Sequence, residues 1–426
     1  MLKYIFAFFF VSSAIIFPQR GFSKGDGKKH ELNINKPVLI EPNIVPSDSI
    51  YICYFSYKIP FNNFLFLKDG DNFTGGISLK LEVHNDKSYL KSQTVNKKIT
   101  VGSYDLTNSD TDYLEGLIEI ALKEGSYTIK PSLTIDNLNK DIFIPPFPIE
   151  VKSYEPSIIL NPIVINKDKY SYKGETYYRI VNAEGFLPYS VNDYNLIIPI
   201  ADSSVTEITV KINQNGKEIL NQANTSAEWI GLGISDLENA VCITNNADGP
   251  RVNLFIVDGF STKLDEGISK ITVEAGEAEK EFEINSGWLN KPRTLINPEF
   301  AIRILEHVTP GEEISELMDG DEEDYYKNLK SYWEKFDSNK ETAFNEVMNE
   351  FYQRADYAVS EFSTPNNRDG TNTDRGKIYV KYGKPDEVQR SYSEKDNTIE
   401  IWLYKNINKR FMFSDKDGLG NFTLLK

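Results

Sequence analysis

The sequence has only two cysteines, three histidines and four methionines among 426 residues. No pair of these side chains has the ligand spacing of a zinc site. No Gly-x-Ser-x-Gly elbow is present, so a hydrolase built on a histidine base is disfavoured. Of the histidines, His30, His84 and His307, only the last lies in the C-terminal third. It sits at an expected helix end, where backbone carbonyls are its natural partners. A basic excess is also missing: 47 Lys and Arg face 63 Asp and Glu, a formal charge of −16. That argues against nucleic acid, whose affinity comes from cations neutralising phosphates. A shortage of aromatics would mark a disordered chain, but aromatics make up 12% of this one. Cys53 and Cys242 lie in different expected domains. They form either one bridge or, as expected here, two small buried hydrophobes.

Beyond the N-terminus no run is long and apolar enough to span a bilayer. The N-terminus itself reads as an export signal over residues 1–23. Lys3 supplies a positive start, residues 5–17 an apolar stretch, and Gly21-Phe22-Ser23 a cleavage site with small residues. No cysteine adjoins that site, so lipid attachment is not expected. The mature chain is expected to be exported, to the periplasm, the outer membrane surface or the medium.

Residues 24–49 form a polar leader. From Ile50 the pattern turns to strands: 51–59, then 77–84, where Ile77, Leu79, Leu81 and Val83 alternate. Short strands and Gly or Asn/Asp turns predict a β-sandwich over 50–155. Residues 156–285 repeat the style, with Asn215-Gly216 as a hairpin turn and 221–250 expected as loop. A linker follows over 286–297. From 298 helices are expected, first with Asn297-Pro298 as a start, then with Tyr325, Leu329, Trp333 and Phe336 on one face. Another is expected from near Asn339 to Phe362. After Pro365 the period switches to two, which predicts strands at 377–383, 387–393, 398–404, 410–413 and 422–425. The expected fold is multidomain: two all-β, sandwich-like (Ig-like) domains, then an α+β domain of helices and an antiparallel sheet over 298–426.

Residues 370–386 then carry a recognisable series: Gly370, Thr373, Asp374, Arg375, Gly376, Tyr379, Tyr382, Gly383, Pro385 and Asp386. Trp333 stands upstream. Glu400, Trp402 and Tyr404 follow on one strand, and Phe413, Asp415, Gly418 and Gly420 on a closing hairpin. This series resembles the signature of the GWxTD domain, a module of exported bacterial proteins, over residues 298–426. The signature tryptophan is Thr371 here, so a surface contact made by that ring is lost, or a neighbour such as Tyr352 fills its space. The resemblance implies no reaction, and it fits the β-rich regions that precede the domain.

The carboxylates admit competing readings. Asp374 is expected to cap turn N–H groups or to pair with an arginine. Paired with Glu400 or Asp386 it would resemble a glycosidase dyad, which needs a separation of about 5–9.5 Å. Asp415 to Asn421 resembles part of a calcium loop with broken spacing, and a turn at Asp417-Gly418 is the favoured reading. The eight carboxylates of 311–324 suit helix N-termini. No cofactor and no metal are expected. The expected function is a non-enzymatic envelope protein that binds another envelope protein or a glycan. The alternative is a carboxylate-dependent hydrolase of cell-wall or extracellular polysaccharide, and a calcium-stabilised adhesin-like module is a third reading.

Overall fold

The structure, a computed structural model, describes residues 38–425 except 48–49, 87, 110, 139–140, 153–157, 182–185, 366 and 393–396. The export segment, His30 and most of the polar leader lie outside the described residues. The chain forms two compact units, one ending at Gly287 and the other beginning at Trp288. No helix among the described residues is long and apolar enough to cross a membrane.

The first unit is built of strands. Leu39–Ser47, Ile50–Pro60 and Tyr113–Leu122 pair antiparallel, with Ile50–Pro60 in the middle. Asn72–His84 is the centre of a six-stranded sheet, flanked by Tyr89–Val101 and Gly125–Ile135. Its alternation works as the period-two pattern requires: Ile77, Leu79, Leu81 and Val83 are buried against Phe55, Ile59, Ile129 and Leu133. Residues 38–47 of the expected leader join this unit as its first strand begins, with Val38 and Ile40 buried in this core.

Residues 163–287 form an eleven-stranded arrangement. Asn215 and Gly216, both at positive φ, turn Glu207–Gln214 back into Lys217–Asp236. The loop expected over 221–250 is therefore corrected: most of it is the twenty-residue strand Lys217–Asp236, followed by Val241–Asn245. Its Asn, Ala, Gly and Ser have low strand propensity. Pairing with Glu207–Gln214, then with Arg251–Val257 and Val241–Asn245, overrides it.

Within this unit the two β regions share an apolar cluster that includes Val45, Tyr54, Leu160, Ile163, Ile197 and Leu254. Buried Glu115 also lies 3.4 Å from Lys58 and 3.1 Å from Arg179, and Lys97 reaches Asp236 at 2.5 Å. Cys53 and Cys242 are both buried and free. Burial pushes the Cys53 thiol up to about 12 and the Cys242 thiol to about 11, which leaves both inert as nucleophiles.

The second unit packs helices on a four-stranded antiparallel sheet. The helices are Pro298–Ile304, Gly311–Leu317, Tyr325–Glu334, Glu346–Glu361 and Asp374–Tyr382. The strands run in chain order across the sheet: Glu387–Tyr392, Thr398–Tyr404, Lys409–Asp415 and Phe422–Leu424. Asn297 caps the first helix by accepting from the Phe300 N–H, with Pro298 in the first turn as expected. Asn345 caps the fourth through the Met348 N–H, so that helix starts six residues later than Asn339 suggested. The strand expected at 377–383 is corrected: it is the end of the helix Asp374–Tyr382, closed by Gly383. The cap at Thr373 and the buried set Gly376, Tyr379 and Val380 outweigh the accidental alternation of Ile378, Val380 and Tyr382.

Candidate functional site

The signature residues meet where the helix Asp374–Tyr382 crosses the helix Glu346–Glu361 and the sheet. Gly370 lets the chain approach: a Cβ there would lie 1.9 Å from the Ala358 carbonyl oxygen. Gly376 does the same on the next turn, since its Cβ would lie 1.8 Å from the Gly370 carbonyl oxygen. Between them Thr373 Oγ1 accepts from the Gly376 N–H at 3.1 Å and starts the helix. Asp374, in the first helical turn, accepts from the Leu424 N–H at 2.7 Å and so fixes the last strand. Gly383 ends the helix at φ 77°, a conformation glycine adopts without cost.

Glu400 is the electrostatic centre of the second unit. Its side chain is only 3% exposed, yet it is surrounded by donors. Trp402 Nε1 donates to Oε1 at 2.8 Å, Arg390 Nε to Oε2 at 2.9 Å, and an Arg375 Nη atom lies 3.5 Å from Oε1. Arg375 also donates to the Gly420 carbonyl at 3.4 Å and stacks over Phe422 at 4.0 Å. Burial pulls its guanidinium below the ordinary value, and Glu400 draws it back up. Asp415 closes the far hairpin by accepting from the Gly418 and Gly420 N–H groups at 3.0 and 2.9 Å. Trp402 packs on Phe413, Phe362 and Tyr379.

Residues 289–424 match the family model described as the GWxTD domain. The chain carries a GWxTD domain. A comparison with curated proteins finds no match to the chain.

The remaining signature residues of the GWxTD domain take structural positions around this centre. Asp386 accepts from the Lys405 N–H at 2.6 Å, and the preceding Pro385 carries the chain from Gly383 into the edge strand. The Tyr404 hydroxyl donates to the Gly383 carbonyl at 2.8 Å. Tyr382 stacks on Phe411 and accepts from Lys409 Nζ at 2.8 Å. Trp333 belongs to a second aromatic group with Tyr332, Phe336, Phe351 and Tyr352. Thr371, at the signature tryptophan's place, is buried and bonds to Asp369 Oδ1 through both its N–H and its hydroxyl. Tyr352, the neighbour expected to fill that space, instead packs against Trp333 and donates to the Ala301 carbonyl at 3.0 Å.

Three contributors were not visible in the sequence. Asp369 organises the signature turn, and the Asp-Gly pair at 369–370 was its only local sign. Arg390 reaches Glu400 because the two are cross-strand partners, a register that spacing alone does not supply. Asp356 accepts from the Arg293 and Thr294 N–H groups at 2.6 and 2.9 Å. Burial raises its carboxyl pKa, and those bonds offset only part of the rise. Half-buried His307 feels Lys377, Asp369 and Glu306 and the main chain of Thr371. No group of three or more His, Cys, Asp or Glu among the described residues could hold a metal ion.

Proposed function

We propose that the protein is an exported, non-enzymatic envelope protein whose GWxTD domain docks an envelope protein or a glycan. The β-rich first unit would act as an immunoglobulin-like spacer or partner-binding module. The observation that carries this reading is the occupation of the signature carboxylates. Glu400 accepts from Trp402 and two arginines, while Asp374 accepts from the Leu424 N–H of the last strand and Asp386 from the Lys405 N–H of a hairpin turn. Carboxylates spent on holding secondary structure together suit a scaffold better than proton transfer, which needs an acid or base that can reach substrate. The export reading rests on the apolar N-terminal stretch and its small-residue cleavage site.

The test is retention of envelope components on the immobilised mature chain, in parallel with a glycan array. Saturable retention of a defined protein or glycan is the expected result, and none in either format sinks the reading. The hydrolase reading predicts instead that soluble sugar is released from cell-wall polysaccharide, and that Glu400→Gln abolishes the release. Microscopy of the tagged chain tests the location: retention in the cytoplasm would end the export proposal.

A further inference from the structure

The edges of the sheets are treated unequally. The edge strand Leu39–Ser47 carries Pro42 and Pro46, which cannot donate to a new neighbour. The outer edge of Tyr113–Leu122 is occupied by side chains. Asn239 takes the Glu115 N–H at 2.7 Å and donates to the Tyr113 carbonyl at 3.4 Å, Lys97 takes the Glu115 carbonyl at 2.8 Å, and Lys91 takes that of Ala121. The edge strand Tyr89–Val101 carries Lys91, Lys97 and Lys98. At one side of the GWxTD sheet, Asp374 takes the outward Leu424 N–H. These are the usual defences against strand addition.

Glu387–Tyr392, the other edge of the GWxTD sheet, lacks them among the described residues. It has no proline and no lysine. Its two charges are turned back onto the sheet, Glu387 to Lys405 in the turn after the next strand and Arg390 to Glu400 on that strand. One face shows Val388, 47% exposed, then Arg390, with a side chain 72% exposed, then Tyr392, 78% exposed. The surrounding stretch 366–426 has twelve basic and nine acidic side chains, in a chain that is otherwise strongly acidic.

We propose that Glu387–Tyr392 accepts an extended segment of another polypeptide as a fifth strand of this sheet. Cross-strand pairing sets the chemistry of that segment: apolar residues opposite Val388 and Tyr392, and an acidic residue between them facing Arg390. The proposal rests on the docking reading above and names its partner class.

The probe is the fluorescein-labelled peptide TVTETVT, titrated into the full mature chain and read by anisotropy. Saturable binding is expected, weakened about tenfold or more by Val388→Lys, an edge lysine of the kind that Tyr89–Val101 carries. Arg390→Gln, checked for folding by circular dichroism, is expected to equalise TVTETVT and the lysine-centred TVTKTVT. Absence of saturable binding overturns the proposal, and so does equal binding of TVPEPVT, which cannot form the ladder. A dimer in sedimentation that Val388→Lys dissolves assigns the edge to a second copy and likewise overturns it. Any of these failures leaves the retention experiment unaffected, so loss of the strand and loss of the docking reading are told apart.

Discussion

The Arg375 guanidinium and the Glu400 carboxylate face each other at 3.5 Å inside the GWxTD domain, with 13% and 3% of their side chains exposed. The pair joins the signature helix to the sheet. Removing Glu400 leaves the largely buried Arg375 without its charge partner, which costs about 3–5 kcal/mol. Glu400→Ala is expected to destabilise the domain by that amount in urea unfolding. Arg375→Ala is expected to cost less, because Arg390 and Trp402 continue to hold the carboxylate. Equal costs for the two would show that Arg390 contributes nothing.

Gly370 and Gly376 are steric requirements, whereas Gly418 is a conformational one. A methyl at either of the first two would meet a backbone carbonyl, which side-chain movement cannot relieve. Gly370→Ala and Gly376→Ala are expected to cost about 3 kcal/mol or more. Gly418 sits at φ 69° with open space around it, so Gly418→Ala is expected to cost about 1 kcal/mol. Thermal melts of the three variants separate the classes, and equal losses would contradict the close approach.

Thr373→Ala removes the cap that makes 374–382 helical. About 1 kcal/mol is expected to be lost, with Thr373→Ser restoring most of it. Hydrogen exchange should speed up first at the start of that helix. Faster exchange confined to the sheet would count against the capping role.

Acidification is expected to weaken the second unit through His307. Burial, then Lys377, lowers its folded pKa below the unfolded value of about 6.5, while Asp369 and Glu306 oppose that shift. A lowered histidine pKa means that its stabilising contribution is complete above about 6.5. The contribution is lost as pH falls through the folded value. Urea midpoints between pH 7 and pH 5 should fall for the wild type and fall less for His307→Gln. Parallel slopes would assign the acid sensitivity elsewhere.

Glu115→Ala removes the shared partner of Lys58 and Arg179 in the first unit. Their side chains are 18% and 32% exposed, so solvent screens part of the loss and about 1–3 kcal/mol is expected. Exchange protection is expected to drop in both Ile50–Pro60 and Glu175–Arg179. A drop in only one would show that the Glu115 ion pairs do not join the two regions.

What local pattern could determine, it did. Period-two alternation marked residues 77–84 of Asn72–His84 and Thr398–Tyr404, Asn-Gly marked the hairpin at 215–216, and Asn-Pro marked the helix start at 297–298. The order of signature residues marked the GWxTD domain. These features depend on neighbours a few residues apart, so the amino-acid sequence alone settles them. Two decisions belonged to the tertiary structure. Residues 221–236 became strand because partners on both sides supply backbone hydrogen bonds that their polar composition does not favour. Residues 374–382 became helix because Gly370 lets the chain sit against the helix Glu346–Glu361 and Gly376 packs on the Gly370 turn, with Tyr379 and Val380 buried. The Glu400 centre also needed the fold, because Arg375, Arg390 and Trp402 come from a helix and two strands. A buried charge is stable only where such partners converge, and that convergence is set by packing over long range.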